Sequence, residues 1–512
     1  MPVLAQYTIR SKQRYIFQTN RLKEVVGASE IIRDTFDELF QCAGKAGLRY
    51  ERDSAPADPF SIGRVHDKFA SGELDAVELF RGGGNDTVLL RDHSVFRRLN
   101  EAYTRHVLEK YPGLLPLCVG VQTDCVDYQA DDNKLKAAAD RKKCAMQSGR
   151  VENAQPFAQQ DRTTLQAISV EDCHIYDGVP VTEYRSAEAE AKYKKSISSY
   201  KIEEDSKLLD ELAKDGTHSL LAIVHADGNS MGDKIQKKLG KEKDYDFCVN
   251  AMRAFTREIN NVFTEVGKDA LEQRRAELEK EHPDEPPKNR LVRWIVTDGD
   301  DVTFLCNAKY ALELARAYLR GVQAAGEEKD VHYSSCAGIC VFHAHYPFAR
   351  AYELAEQACD NAKEPVHNSK KEQGWIDAHY QRSGVNGELE DIRKLHQTGR
   401  CIARPWFVCG EPPGNDDMRL EQLEALNKTL LDAEVVRGQI KTIGQEMEVS
   451  PEAGELVWKR LCYNMQEKDL QEKAEKLFEG KQKSLYQALY QALYDLSDFC
   501  DIWFRKGGAT HG

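Results

Sequence analysis

Short apolar runs and longer amphipathic segments alternate along the middle of the chain. Between about residues 219 and 380, the runs LLAIVHA, RWIVTDGDDVTFLC and SSCAGICVF are separated by segments whose apolar residues recur at helical spacing. The runs predict strands, the middle one a hairpin, and the amphipathic segments predict helices. The resulting order is strand, helix, strand, strand, helix, strand, which is that of a ferredoxin-like domain. A further helix, FARAYELAEQACDNAK, and a strand-like WIDAHYQ follow.

The N-terminal part of the chain repeats this order. A strand QYTIRS, the hairpin DAVELFRGGGNDTVLLRD and a strand LPLCVGVQ are separated by two helical patterns. Gly83 of this hairpin and Gly299 of the later hairpin occupy matching places. The sequence therefore predicts an internal duplication of the ferredoxin-like unit.

The rest of the chain has helical patterns. The last strong signal is LYQALYQALYDLSDFCDIWF, whose leucines at 485, 489, 493 and 496 predict the core-facing stripe of a small helical bundle. We therefore predict an α+β protein built of two ferredoxin-like (βαββαβ) domains, a mostly helical linker and a helical C-terminal domain. The predicted boundaries are 1–125 for the first ferredoxin-like domain, 126–215 for the linker, 216–385 for the second ferredoxin-like domain and 386–512 for the C-terminal domain.

Composition limits the class of protein. With 512 residues, 41% of them hydrophobic, the chain is long enough for roughly two to four globular domains. Its 14 cysteines include no CxxC pair, which favours reduced thiols. No apolar run has the length of a membrane span and the N-terminus lacks a signal peptide core, so we expect a cytoplasmic protein with no membrane partner. The net charge of −13 favours a small nucleotide, delivered with magnesium, over a large nucleic-acid surface.

The second hairpin carries the clearest chemistry. Asp298, Asp300 and Asp301 surround Gly299 at its tip. Carboxylates held a few Å apart repel one another by about 1 kcal/mol per pair even at the dielectric constant of water, and a divalent cation removes that repulsion. Taken alone, the pattern fits a solvated Asp-Gly hairpin turn equally well, which would account for Asp298 and Gly299.

A second acidic position favours the metal site. Asp227 follows the buried strand LLAIV and precedes a loop, so it lies at a strand end. If this strand lies beside the hairpin, Asp227, Asp300 and Asp301 converge in the layout of a phosphoryl-transfer site with two Mg²⁺ or Mn²⁺ ions. In such a site a ribose hydroxyl attacks the α-phosphate and pyrophosphate leaves. The first copy has Gly84 and Asn85 in place of the aspartate pair, so it is predicted to be degenerate, without metal ligands.

Several segments together resemble one known family. They are YIFQTNRLKEVVGASEII, the GGGND hairpin, HADGNSMGDKI with DGDDVTF, and HAHYPFARAYELAEQACDNAKE with WIDAHY. The family is the large, polymerase-like subunit of type III CRISPR systems, often called the CRISPR polymerase, which is related to GGDEF-type nucleotidyl cyclases. The resemblance implies that both ferredoxin-like domains are palm domains and that the second converts ATP into cyclic oligoadenylates. Asp298 replaces the first glycine of the family's GGDD-like motif, which is expected to alter the turn and to spare the ligand pair.

The resemblance also implies roles for individual residues. Asp227, Asp300 and Asp301 are implied as the catalytic residues and metal ligands. The implied nucleotide-binding residues are Gly228, whose carbonyl would be a further metal ligand, Asn229, Ser230 and Asp233 for base or ribose, Lys363 for the triphosphate, and Gly82, Gly83 and Gly84 on the opposing wall. The alternative for Lys363 is a solvated cation near a helix C-terminus.

Two features found in many family members are not expected here. The chain begins at the first palm domain, and the dipeptide at His66 and Asp67 lacks the further His and Asp residues of an HD nuclease. We therefore expect a form without the HD domain. A zinc site is not expected either, because only Cys144, Cys173 and His174 stand where four ligands are needed.

Three functions are weighed for this chain. The leading hypothesis is a magnesium-dependent nucleotidyltransferase that makes a cyclic oligoadenylate second messenger from ATP in antiviral defence. It would act as a subunit of a CRISPR effector complex with RNA, or as a stand-alone homo-oligomer. The alternatives are a cyclic dinucleotide synthase of the GGDEF type and a non-catalytic, nucleotide-binding scaffold subunit. Intact Asp227, Asp300 and Asp301 favour the two enzymes over the scaffold.

Overall fold

A computed structural model gives the structure of the chain. It describes residues 1–19, 21–53, 59–146, 159–161, 164–176, 179–200, 220–283, 292–328, 332–344, 346–382, 387–395, 401–464, 469–481 and 485–503. The fold is a mixture of sheets and helices with two ferredoxin-like domains, so the predicted α+β class is confirmed.

The first ferredoxin-like domain is built on a five-stranded sheet. Its strands are β1 (Val3–Arg10), β2 (Tyr50–Glu51), β3 (Ala76–Gly82), β4 (Asn85–Leu90) and β5 (Leu115–Gln122). Its helices are α1 (Lys12–Phe17), α2 (Leu22–Lys45), α3 (Ile62–Ser71) and α4 (His93–Lys110). The strand order is β2-β3-β4-β1-β5, with β1 antiparallel to both β4 and β5. This is the βαββαβ arrangement predicted from the sequence, with β2 added at one edge.

The linker region contains strands as well as helices. Its elements are α5 (Tyr128–Ala145), β6 (Ile168–Tyr176), β7 (Val179–Ser186) and α6 (Ala187–Tyr200). The antiparallel pair β6 and β7 was not predicted. The available signal was the Asp-Gly dipeptide between two segments rich in β-branched residues, which is a common hairpin pattern.

The second ferredoxin-like domain is built on a six-stranded sheet. Its strands are β8 (Leu220–Gly228), β9 (Arg293–Asp298), β10 (Asp301–Asn307), β11 (Ser335–His343), β12 (Gln373–Tyr380) and β13 (Trp406–Gly410). Its helices are α7 (Met231–Leu239), α8 (Tyr245–Ile259), which continues as a π-helical turn at Asn260–Val266, α9 (Gly267–Glu281), α10 (Ala311–Glu328) and α11 (Phe348–Ser369). The strand order is β13-β12-β11-β8-β10-β9. The predicted βαββαβ order is therefore confirmed here too.

The C-terminal region is helical except for β13. Its helices are α12 (Leu389–Leu395), α13 (Leu420–Asp432), α14 (Arg437–Val449), α15 (Pro451–Asn464), α16 (Leu470–Lys476) and α17 (Leu485–Trp503). Strand β13 pairs with β12 and was not predicted from the sequence. It forms because Trp406 is buried and packs edge-on against the rings of Phe499 and Trp503 of α17. No helix in the described ranges is long and apolar enough to cross a membrane.

The chain divides into two compact units, each assembled from three segments. The first unit comprises residues 1–209, 230–264 and 295–300, and the second comprises 210–229, 265–294 and 301–512. The division runs across the predicted boundaries at 125, 215 and 385, which stay predictions.

Helix α8 shows why a segment of the second copy belongs to the first unit. Tyr245, Cys248 and Val249 of α8 are buried in the same apolar cluster as Leu79 of β3. The buried guanidinium of Arg253 donates to the carbonyl oxygen of Leu79 at 2.6 Å. Apolar burial and this hydrogen bond to the main chain of β3 hold α8 on the first sheet.

A buried ion network joins the C-terminal helices to the sheet of the second unit. Arg393 of α12 donates to both carboxylate oxygens of Asp377 in β12, at 2.9 and 2.8 Å. Arg404, 2% exposed, lies 3.4 Å from Asp495 and 2.8 Å from Asp498, both in α17. Buried charges need such pairing, so the network fixes α17 against β12.

His379 of β12 lies beside this network and gives the protein a pH dependence. Burial, together with the charges of Arg393 and Arg404, lowers the pKa of His379 to about 4. An unfolded chain takes up this proton near pH 6.5, so the folded state loses stability as the pH falls from about 6.5 to 4.

We expect His379→Gln to remove that loss. Over this pH range the wild-type protein should lose about 3 kcal/mol more of its unfolding free energy than the variant. Urea unfolding at several pH values measures the difference. His66→Gln, at an exposed histidine, is the control and should follow the wild type. Equal losses in wild type and His379→Gln would contradict the prediction.

Candidate functional site

Strand register brings Asp227 and Asp301 together in the second unit. Strands β8 and β10 are antiparallel, with Val302 opposite Ala226 and Thr303 opposite His225. One step further along this register, Asp301 stands opposite Asp227. Residues in such a position have Cα atoms about 4.5–5.5 Å apart. Both side chains are about one-third exposed, 33% for Asp227 and 32% for Asp301, so solvent and ligands reach them.

His225 lies on the same face of the sheet as Asp227, because alternate residues of a strand point the same way. Its Nδ1 atom is 3.1 Å from Oγ1 of Thr303 and 3.5 Å from Oδ1 of Asp301. Burial lowers the pKa of His225, and the carboxylate of Asp227 opposes that shift. The lowered pKa favours the neutral imidazole, which contacts Thr303 without adding a positive charge beside Asp301.

Helix α11 covers this face and supplies a cation. Lys363 forms an ion pair with the carboxylate of Asp227, and its ammonium lies 3.3 Å from the carbonyl oxygen of Gly228. Burial alone would lower the pKa of Lys363, but the charge and hydrogen bond of Asp227, together with the nearby thiols of Cys359 and Cys336, outweigh burial and the pKa is raised. The ring of Tyr352, in the same helix, lies with its centroid 5.6 Å from that of the His225 ring. Lys363 thus lies within the cluster and is only 14% exposed, unlike a solvated helix-end cation.

The other predicted residues after Asp227 have different surroundings. Asn229 is buried, and its side-chain amide donates to Oγ of Ser334 at 2.8 Å and to the carbonyl oxygen of Gln373 at 2.9 Å. It therefore ties the end of β8 to the residue before β11 and to β12. Ser230 has a left-handed backbone (φ 55°) and precedes α7, and Asp233 is exposed in the first turn of that helix. The contacts of these three residues with base or ribose stay predictions.

A cavity of about 630 Å³ lies in the first unit. Gly82, Gly83, Gly299 and Asp300 line it, together with side chains of α5, α7 and α8. Gly84 is buried, and its main chain makes hydrogen bonds with Thr8, Lys12 and Asp298. The two hairpins differ in their turns: Gly83 and Gly84 both have positive φ, as in a type I′ turn, whereas in the second turn only Gly299 does. The predicted nucleotide contacts of Gly82, Gly83 and Gly84 stay predictions.

The donor atoms suit a hard cation. Asp227 and Asp301 present carboxylates from adjacent strands, and Gly228 presents a carbonyl oxygen, which are the oxygen ligands that Mg²⁺ prefers. Asp300 precedes Asp301 in the turn. Across the described ranges, no group of three or more His, Cys, Asp or Glu side chains is already arranged to hold a metal ion. At Asp227, the ammonium of Lys363 supplies the counter-charge instead, and the metal assignment stays a prediction.

The structure also locates the residues considered above for an HD nuclease and for a zinc site. His66 and Asp67 are exposed on α3, and Cys144 and Cys173 are exposed. The side chain of His174 lies outside the described residues.

Sequence reasoning missed three residues around these sites. His225 and Thr303 are two residues from Asp227 and Asp301, so the period of two in a strand would have placed them on the same face. Lys12, which contacts the hairpin turns of the first unit, has no such signal in the sequence.

The fold contains two ferredoxin-like domains, and the second carries Asp227 and Asp301 at the ends of adjacent strands. Residues 220–372 match the family model of the Cas10/Cmr2 second palm domain. No curated protein matches the chain. The matched stretch contains Asp227, Asp300, Asp301 and Lys363.

Solved structures extend the similarity to the rest of the chain. A chain of the Csm1–Csm4 cassette crystallised in complex with cA4 is 12% identical, with a TM-score of 0.50, and the match covers 97% of this chain and 70% of that one. Csm1 in T.onnurineus is 12% identical, with a TM-score of 0.50, over 96% of this chain and 69% of that one. At this identity the likeness shows the fold. Together with the family match, it confirms the predicted resemblance: the chain is similar to Cas10-like large subunits.

The ion pair between Lys363 and Asp227 generates a prediction about metal binding. Lys363→Met removes the cation that competes for the oxygens of Asp227 and Gly228. We expect the variant, without nucleotide, to bind Mn²⁺ about tenfold more tightly than the wild type, which corresponds to about 1.4 kcal/mol. Electron paramagnetic resonance of free Mn²⁺ measures the affinity.

The control for this experiment is Lys428→Met, at an exposed lysine of α13 in the same unit. It should bind Mn²⁺ like the wild type. Unchanged or weaker binding by Lys363→Met would show that the lysine does not compete for the cation position.

Proposed function

We propose that this protein is a magnesium-dependent nucleotidyltransferase that joins ATP molecules into a cyclic oligoadenylate in antiviral defence. The reaction is attack of a ribose hydroxyl on the α-phosphate of another nucleotide, with release of pyrophosphate. Support comes from the Cas10/Cmr2 second palm match and from the fold shared with a chain of a cassette crystallised with cA4.

One observation carries the proposal. The register of β8 and β10 sets Asp227 opposite Asp301, and Lys363 reaches the same carboxylate from α11. Carboxylates beside a single lysine are what a site needs when it must hold divalent cations and also bind phosphate. A purely structural ion pair would require neither the second carboxylate nor its exposure to solvent.

The first role in this reaction is to hold the metal ions. Asp227 and Asp301, with Asp300 and the carbonyl of Gly228, would hold the ions. Bound magnesium would lower the pKa of the attacking hydroxyl and neutralise the leaving pyrophosphate.

Lys363 would exchange its ion pair with Asp227 for the triphosphate, placing a positive charge where negative charge accumulates. His225, neutral and buried, would keep Thr303 in place beside Asp301.

The proposal extends to partners. The similar chain comes from a cassette that also contains Csm4. We propose that this protein likewise works as a large subunit with a Csm4-like protein and RNA. A stand-alone homo-oligomer is the competing arrangement, and size-exclusion chromatography of the protein isolated from its native cell distinguishes the two.

The decisive test replaces the aspartate pair. The double variant Asp300→Ala and Asp301→Ala should release pyrophosphate from ATP about a thousandfold more slowly than the wild type. The metal supplies several kcal/mol of charge stabilisation, and each 1.4 kcal/mol is about tenfold in rate. Labelled ATP or GTP with Mg²⁺ or Mn²⁺ and a pyrophosphate assay measure it.

A matched control removes two exposed carboxylates elsewhere, Asp269→Ala and Glu452→Ala, and should react like the wild type. Pyrophosphate release that survives the Asp300 and Asp301 substitutions would contradict the metal-site assignment. The mass of the product separates the candidates, since a cyclic dinucleotide would favour the GGDEF-type synthase and no product would favour the scaffold.

A further inference from the structure

The side chain of Asp298 is held by the hairpin turn of the first copy. Its Oδ1 atom accepts a hydrogen bond from the main-chain N–H of Gly84 at 3.1 Å, and its Oδ2 atom lies 3.6 Å from Nζ of Lys12. Lys12 in turn donates to the carbonyl oxygen of Gly84 at 2.7 Å. The three residues form a closed set of contacts, called the tip cluster here, and all of them belong to the first unit.

Gly84 leaves room for the tip cluster. A side chain at this position would begin 1.4 Å from Nζ of Lys12 and 2.6 Å from Oδ2 of Asp298. Its backbone φ of 64° also favours glycine. The carbonyl oxygen of Gly84 accepts a second hydrogen bond, from Oγ1 of Thr8 at 3.1 Å, which fixes the turn to β1. The third glycine of the GGG run is therefore needed for the ion pair.

The turn that follows Asp298 is held at the next residue as well. The carbonyl oxygen of Gly299 accepts from Oγ1 of Thr264 at 3.4 Å. A Cβ atom added to Gly299 would lie 3.7 Å from Cγ2 of Ile259 and 4.0 Å from the main-chain nitrogen of Gly83. With Asp298 and Gly299 both held, the backbone that leads into Asp300 has little freedom. Asp300 lines the cavity of this unit.

Two other readings of Asp298 fit less well. As a metal ligand it would have to give up its contacts with both Gly84 and Lys12. As an ordinary surface ion pair it would contribute little to stability, since Asp298 is 41% exposed. That second reading does not account for the bonds that both Asp298 and Lys12 make to the main chain of Gly84.

We propose that the tip cluster positions Asp300 for metal binding. Lys12 and Asp298 are positioning residues: they touch neither metal nor nucleotide, but they fix the turn from which the ligand projects. This inference rests on the proposed function, because it takes Asp300 as a metal ligand. It gives Asp298, which stands where the similar motif has a glycine, a specific task in this chain.

The test compares Lys12→Met, Asp298→Asn and the double variant. Loss of a group that supports a metal ligand typically weakens metal affinity 10- to 100-fold, so we expect each single variant to bind Mn²⁺ about tenfold more weakly. The double variant should bind no more weakly than either single variant, because both remove the same contact. Lys12→Arg, which keeps the charge, should recover most of the affinity.

Two further measurements separate positioning from general destabilisation. At saturating ATP, the Mg²⁺ concentration for half-maximal pyrophosphate release should rise about tenfold in Lys12→Met, whereas the rate at saturating Mg²⁺ should change by less than about twofold. Hydrogen exchange of the peptides covering residues 82–86 and 296–302 should become faster in the same variant. The control is Lys143→Met, which breaks an exposed ion pair with Asp140 and should change none of these quantities.

Each outcome bears on the proposal. An active wild-type protein whose Mg²⁺ dependence and Mn²⁺ affinity are unchanged in Lys12→Met would overturn the positioning role and leave the proposed function standing. Additive effects in the double variant would show that Lys12 and Asp298 act separately, and would also overturn it. Wild-type protein that neither binds Mn²⁺ nor releases pyrophosphate would overturn the proposed function and the positioning role together.

Discussion

The antiparallel pairing of β8 with β10 is the constraint on which the candidate site depends. Its register sets Asp227 opposite Asp301, although the two residues are separated by more than seventy positions in the chain. Two carboxylates at this spacing repel each other and need a compensating charge. The structure supplies it as the ammonium of Lys363, and the proposed function replaces it with metal ions. A shift of one residue would turn one carboxylate to the opposite face of the sheet and remove the site.

The ferredoxin-like topology brings the other groups to that pairing. Because β8 lies between β10 and β11, helix α11 crosses the face that carries His225 and Asp227. Burial lowers the pKa of His225 and favours the neutral imidazole, so His225 adds no positive charge here. The cation paired with Asp227 is Lys363. In the first unit, the duplicated hairpin has Gly84 and Asn85 where the second has Asp300 and Asp301. The main-chain N–H of Gly84 donates to Asp298 in the turn that leads into Asp300.

The sequence predicted the elements with strong local signals. Buried runs such as LLAIV, the two glycine-containing hairpins and the internal duplication were enough for both ferredoxin-like domains, and Asp227 was placed correctly at a strand end. Strands β6 and β7 were missed although the Asp-Gly dipeptide between them is a hairpin signal. Strand β13 was missed because it is short and depends on packing against α17. The contact of Asp298 with Lys12 and Gly84 joins residues more than two hundred positions apart, and no periodicity reports such a contact. The interleaving of the two units was hidden for the same reason.

The central claim is that Asp227 and Asp301 hold divalent cations and that Lys363 leaves Asp227 for the triphosphate. A crystal structure with Mn²⁺ and a non-hydrolysable ATP analogue, with data collected at the manganese edge, tests it most directly. The account predicts anomalous peaks bound to oxygens of Asp227 and Asp301, with the ammonium of Lys363 on a phosphate oxygen. Manganese bound elsewhere, or Lys363 still paired with Asp227 beside a bound analogue, would contradict it.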